Sequence, residues 1–259
     1  MEPLGKVIAV TNQKGGVGKT TTSINLSACL AERGLNVLLV DIDPQGNATS
    51  GLGQDVERET SVYDVLAGLC APDAAIVKTE VEHLSIMPTG IELAGAEIEL
   101  VEEEDRELLL MRALAEMVDR YDYILIDCPP SLGLLTINAL TAADTVLIPI
   151  QCEYYALEGV GRLAKTIRMM RKKLNPALEI EGILLTMYDS RTNLCGQVAQ
   201  EVRRHFPDKV FETTIPRNIR LSEAPSYGQP IHIYDPRCAG AQAYRSLAEE
   251  LLKRNGAKV

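Results

Sequence analysis

Lys6–Arg33 reads KVIAVTNQKGGVGKTTTSINLSACLAER. Lys6–Thr11 is a run of apolar and β-branched residues without polar alternation, the pattern of a buried strand. Gly18–Arg33 has the length and periodicity of a helix, and Gly34 stops it. Between them lies KGGVGKTT, Lys14 to Thr21. Strand, glycine-rich loop and helix in that order form a phosphate cradle. Gly15, Gly16 and Gly18 open backbone angles closed to other residues and let N–H groups approach phosphate oxygens. The helix start adds its positive end. Lys14, Gly15, Gly16, Val17, Gly18, Lys19, Thr20 and Thr21 are the expected nucleotide contacts. Lys19 is placed for the β- and γ-phosphates, and the Thr20 hydroxyl for Mg²⁺. A strict loop of this class has glycine at position 13. This chain has Gln13 there and an extra lysine, Lys14.

Outward from the loop, apolar runs alternate with helical patterns. Strands are predicted at Asn36–Asp41, Leu84–Pro88, Tyr123–Asp127, Thr145–Ile150, Ile180–Met187 and Val210–Thr214. Helices are predicted at Asp105–Arg120 and at about 133–142, 156–174, 194–206 and 239–254. Such alternation implies an α/β fold: a doubly wound, mostly parallel sheet with helices on both faces, in one domain spanning 1–259. Ligands in such folds bind beyond the C-terminal strand ends. Asp127 ends the strand YILID, where a carboxylate holds Mg²⁺ directly or through water, and Pro129–Pro130 turn the chain out of the sheet. Asp41 and Asp43 end the second strand in DIDPQGN, and a carboxylate there can orient an attacking water. A single strand-end aspartate is more often a cap or turn former. Two such sites beside a phosphate loop favour the nucleotide reading.

Composition bounds the rest. The chain has 259 residues, 46% hydrophobic and 24% charged, enough for a large buried core. No run of about 18 apolar residues suggests a membrane span, and MEPLGKVIAV lacks a secretory pattern, so a cytoplasmic protein is expected. Six cysteines form no CxxC pair and read as scattered thiols. The net charge of −10 is uneven: residues 1–125 carry 9 Lys+Arg against 22 Asp+Glu, and residues 126–259 carry 17 against 14. An acidic chain of this kind can still present a basic face. The acidic stretch Glu99–Asp105 is most simply a solvated face or a charged first turn of a helix.

KGGVGKTT (14–21), DIDPQGNAT (41–49), YILIDCPPSLG (123–133), LLTMYDSRTN (184–193) and IPRNIRLSEAPSYG (215–228) together resemble the ParA/Soj family of chromosome and plasmid partition ATPases, a deviant Walker A group that also includes MinD. The last motif favours the chromosomal, Soj-like branch. The resemblance implies ATP and Mg²⁺, and a sandwich homodimer with two ATP molecules at its interface. It makes Lys14 the signature lysine that crosses to the partner's phosphates, requires Gly16 to stay small so that the loops can approach, and makes Asp43 the residue that positions water. Met187, Pro216 and Asn218 become the adenine pocket. It further implies that the ATP dimer binds double-stranded DNA without sequence preference, is nucleoid-associated in that state, and is released by slow hydrolysis stimulated by a ParB/Spo0J-type centromere-binding protein. That partner usually acts through a basic N-terminal arm, for which the acidic half is a plausible dock. Arg191 and Arg220 match the DNA positions and are expected in loops after strands. The helix segment Arg168–Lys173, with Arg171, Lys172 and Lys173, and the pair Lys253–Arg254 add candidate phosphate contacts.

Three rivals share the loop. A MinD-like membrane-cycling ATPase needs an amphipathic tail, but here Glu249 and Glu250 flank the stripe Tyr244, Leu247, Leu251 and Leu252, so a helix docked on the core is expected. A nitrogenase-type iron protein needs cysteines at a dimer axis, and beyond Cys128 the spacing does not match. An amidoligase of the same superfamily should bind a small substrate, against the Arg191 and Arg220 motifs.

Overall fold

The computed structural model describes residues 5–57, 60–153 and 156–256. Eight strands form one sheet: β1 (Lys6–Val10), β2 (Val37–Asp41), β3 (Val77–Lys78), β4 (Leu84–Met87), β5 (Tyr123–Asp127), β6 (Thr145–Gln151), β7 (Glu179–Tyr188) and β8 (Val210–Pro216). Their order is β3-β4-β2-β5-β1-β6-β7-β8, and every neighbouring pair is parallel except β3 with β4. The helices are α1 (Lys19–Ala31), α2 (Asn47–Gly51), α3 (Val62–Leu66), α4 (Leu93–Glu99), α5 (Leu109–Ala115), α6 (Leu134–Ala142), α7 (Ala156–Lys173), α8 (Asn193–His205), α9 (Arg220–Glu223), α10 (Ile231–Tyr234) and α11 (Ala239–Arg254).

The alternation of side chains along a strand assigns each face its own core. In β1, Ile8 and Val10 pack with α1 and α11, while Val7 and Ala9 join the cluster under α5, α6, α7 and α8. Both faces of the sheet are therefore covered, which explains why the strands read as unbroken apolar runs. Tyr244 of α11 is fully buried, and its hydroxyl meets Thr22 of α1 at 3.2 Å. Leu247 and Leu251 are equally buried. Burial of each such side chain is worth about 1.5–3 kcal/mol, so the stripe of α11 belongs to the core, as expected from the sequence.

The main strands agree with the sequence reading to within two residues. The predicted helix at Asp105–Arg120 is broken instead. Asp105 takes a left-handed backbone (φ 54°), a 3₁₀ turn covers Arg106–Leu108, α5 is only Leu109–Ala115, and a second 3₁₀ turn follows at Val118–Arg120. The cause is tertiary. Asn138 of α6 accepts the Leu110 N–H at 3.1 Å and donates to the Arg106 carbonyl at 2.8 Å, taking groups that a continuous helix would use itself. The acidic run before it is solvent-exposed from Glu102 to Asp105. The short helices α2, α3, α4, α9 and α10 and the two-residue β3 escape periodicity because each is too short to show a period.

Candidate nucleotide site

In-register pairing places the chemistry. Val10 lies beside Asp127, and Asp127 beside Asp41, so three adjacent strands end in one row at the C-terminal edge. The loop after β1 rises from the middle of that row. Gly16 and Gly18 have φ of 70° and 85°, the left-handed region that glycine enters freely. Among the described residues a Cβ at Gly15 or Gly16 would meet nothing within 4 Å, so steric packing leaves both positions open, and Gly16 needs glycine for its backbone angle alone. Gly18 is the N-cap of α1 and supplies no side-chain cap, and the first turn holds no acidic residue. The free N–H groups of a 13-residue helix therefore face the loop as an anion site.

Lys19 is buried, and its Nζ reaches the Lys14 carbonyl at 3.5 Å. Burial pulls its pKa down, while Asp127 and Asp43 push it back up. Asp127 is fully buried. Ser23 donates to its Oδ1 at 2.8 Å, the Thr20 hydroxyl stands close enough to hold its pKa down, and among the described residues Oδ2 has no partner. Burial drives the Asp127 pKa upward, with Asp41 adding to the rise and the Ser23 and Thr20 hydroxyls opposing it. An orphaned carboxylate oxygen beside a threonine hydroxyl, under an anion cradle, suits a hard divalent cation with oxygen ligands. Thr20 and Asp127, expected to hold Mg²⁺, thus stand together.

Asp41 and Asp43, equivalent in sequence, differ in space. Asp41 accepts the Asp43 N–H on Oδ1 at 3.2 Å, and the Thr49 N–H and hydroxyl on Oδ2 at 2.8 and 2.7 Å. Both its oxygens are consumed within the fold. Asp43 is buried, accepts the Gln45 N–H at 3.0 Å, and its charge is felt at Lys19 and Asp127. It is the carboxylate left to the loop.

Met187, Pro216 and Asn218 line one cavity of about 300 Å³ that begins at Gly18. Sequence reasoning missed Thr186 and Arg217 in the same wall. Met187 sits at φ 49°, a strained conformation of the kind that collects at ligand sites. Larger cavities of about 420 and 810 Å³ open at the opposite edge of the sheet, beside the starts of β4 and of β1 and β5, away from the loop. Thr186 is buried and donates its hydroxyl to the Val17 carbonyl at 2.8 Å, tying the loop to the cavity. Thr186→Val keeps the shape and orphans that carbonyl, which costs about 1–3 kcal/mol. We expect a lower Tm and a several-fold weaker ATP affinity, measured by thermal unfolding with and without nucleotide. An unchanged affinity would show that the tie does not set the loop.

The proposed DNA residues are less uniform. Arg191 is exposed after β7, but its guanidinium grips Asp189 through two bonds of 2.9 and 2.8 Å, holding that carboxyl down at about 2. Arg220 lies on α9 rather than in a loop, because Asn218 accepts its N–H at 2.8 Å and starts a helical turn. It pairs with Glu223 at 2.8 Å and Asp235 at 3.5 Å. Arg171, Lys172 and Lys173 end α7, whose 18 residues run back about 27 Å from the ligand edge. Among the described residues no carboxylate pairs with them. Lys253 and Arg254 are spoken for: Lys253 pairs with Glu249, and Arg254 binds Glu250 and the Val210 carbonyl and covers the Phe211 ring. All six cysteines are free thiols.

An uncapped helix behind an open glycine loop, with a buried lysine and strand-end carboxylates, defines a phosphate-loop nucleotide-binding protein. A family model described as an AAA domain matches residues 5–180. The chain is 62% identical to the sporulation initiation inhibitor protein Soj of Bacillus subtilis strain 168, over 96% of this chain and 98% of that one. It is 54% identical to the chromosome-partitioning ATPase Soj of Treponema pallidum strain Nichols, over 98% and 99%. A crystal structure named as cobyrinic acid a,c-diamide synthase from Mycobacterium smegmatis, with bound ADP and magnesium, superposes with a TM-score of 0.86 at 42% identity, covering 98% of this chain and 96% of that one. The chain belongs to the Soj/ParA family of chromosome-partitioning ATPases.

Proposed function

We propose that this chain is an ATP-dependent DNA-segregation switch working as one domain. Two copies close face to face over two ATP molecules, the ATP dimer binds DNA without sequence preference, and slow hydrolysis, stimulated by a ParB/Spo0J-type partner, releases it. The observation that carries this reading is the open loop mouth. Gly15 and Gly16 are exposed, a Cβ on either would meet none of the described residues within 4 Å, and Lys14 stands beside them. A second loop can therefore approach, and Lys14 can supply a cation in trans where charge develops on the transferred phosphoryl group. The α1 N-terminus and Lys19 seat the phosphates, Asp43 orients the water, and the Met187–Pro216–Asn218 cavity takes the base. Thr20 and Asp127 would hold Mg²⁺, whose chemistry is to neutralise charge between phosphate oxygens.

The identities to Soj proteins favour this over a small-molecule ligase, although one similar structure bears such a name. Membrane cycling is disfavoured because the apolar stripe of α11, the face an amphipathic tail would offer, is buried in the core. We place the protein in the cytoplasm, on the nucleoid when ATP is bound. The testing experiment is DNA binding compared with ATP, ADP and no nucleotide. Affinity should appear only with ATP, and binding indifferent to nucleotide would defeat the switch.

Arg191 and Arg220 serve the DNA step. Exposed ion pairs are worth only about 0–1 kcal/mol, so each guanidinium can exchange its carboxylate for a DNA phosphate. A dimer presents both sets on one rigid body, and the second set then acts at high effective concentration. Arg191→Ala or Arg220→Ala should lose ATP-dependent DNA binding, shallow the salt slope and keep ATP-dependent dimerisation. Two mutants that bind DNA normally would shift the surface to Arg168–Lys173.

A further inference from the structure

Lys14 does not wait free at the loop mouth. Its Nζ lies 2.6 Å from Oε2 of Glu153, two residues past the end of β6. The other carboxylate oxygen, Oε1, accepts the Gln151 side-chain amide, so both oxygens are occupied. The backbone beneath is held to the same strand. The Lys14 N–H donates to Asn12 Oδ1 at 3.1 Å, and Asn12 Nδ2 donates to the Pro149 carbonyl at 2.8 Å. Strand order makes the meeting possible, because β6 lies directly beside β1. The cation needed across an interface is thus seated in cis, on a carboxylate 139 residues away in sequence.

We propose that Glu153 is a positioning residue for Lys14: it parks the lysine on its own subunit, and the ion pair opens as the lysine transfers to the phosphates of a second copy's nucleotide. This rests on the trans reading of Lys14 given above. The seat is shallow by construction. The two side chains are 40% and 46% exposed, so water screens the pair and it opens at low cost. It is nevertheless counted twice, since each dimer opens two. The pair therefore acts against association before ATP is bound and yields once phosphate charge offers Lys14 a better partner.

The test is ATP-analogue-dependent dimerisation, read by analytical ultracentrifugation for Glu153→Gln and Glu153→Asp, each alone and combined with Lys14→Gln. Glu153→Gln keeps the shape and the Gln151 contact but removes the charge. It should dimerise at a concentration about tenfold lower than wild type, as two weak surface pairs allow. Glu153→Asp, still charged but shorter, should fall between. In the Lys14→Gln background the Glu153 change should have no effect. Thermal unfolding of the monomers should not separate the variants. An equal shift in the Lys14→Gln background, or no shift in the wild-type background, overturns the parking role while leaving Lys14 itself untouched. Wild-type ATP turnover in Lys14→Gln alone would instead remove the trans reading, and the proposal with it.

Discussion

Lys19→Ala should cut ATP turnover by at least about 10²-fold, the scale on which one charge-stabilising donor contributes. Lys19 is the buried cation of the loop, and burial already lowers its pKa against the pull of Asp127 and Asp43. Phosphate oxygens entering the cradle would complete its neutralisation. Without it they face Asp127 and Asp43 with the α1 N-terminus alone to hold them, since Lys14 is paired with Glu153, so binding should suffer as well as chemistry. Steady-state phosphate release and nucleotide binding measured on the same preparation check this. Turnover at the wild-type rate would remove the phosphate assignment of the loop.

Asp43→Ala should separate binding from chemistry. Its carboxylate stands at the loop, whereas Asp41 is fully engaged with Thr49 and the Asp43 N–H. Loss of a group that orients or activates water costs about 10²–10⁴-fold in rate, while the phosphate cradle stays whole. The variant should bind ATP, accumulate as a dimer on size-exclusion chromatography, and hold DNA without release. Asp41→Ala should instead lose stability, because the Thr49 hydroxyl and N–H lose their buried acceptor. An Asp43→Ala chain that binds ATP tightly yet stays monomeric would contradict the order of events proposed here.

The loop was legible because KGGVGKTT sits between a strand and a helix, and each residue type there has a local reason. Asp127 was legible for the same reason, as the last residue of an apolar strand. The distinction between Asp41 and Asp43 was not, since it depends on Thr49 folding back from α2, a helix too short to leave a periodic trace. The cavity proposed for the base was reachable only through resemblance: Met187 and Pro216 meet because β7 and β8 are neighbours, which no local spacing states. The charges of Arg191 and Arg220 were visible, and so were their neutralising partners, Asp189 two residues before and Glu223 three residues after. That spacing is the signal that exposed arginines can already be paired. Glu153 left no signal at all, because only the order of strands brings it to Lys14.

Glu250 of α11 accepts the Glu212 and Thr213 N–H groups of β8 at 2.8 and 2.9 Å, and Arg254 donates to the Val210 carbonyl at 2.7 Å. The last helix thereby imitates a ninth strand, occupying donors and an acceptor that an open edge would offer to another chain. At the far edge β3 is two residues long and runs against its neighbour. Both margins of the sheet are thus blunted against fibre-like growth. If copies crowd along DNA as proposed, recruitment can raise their local concentration without seeding strand-to-strand polymers, and the sheet edges leave association to other surfaces.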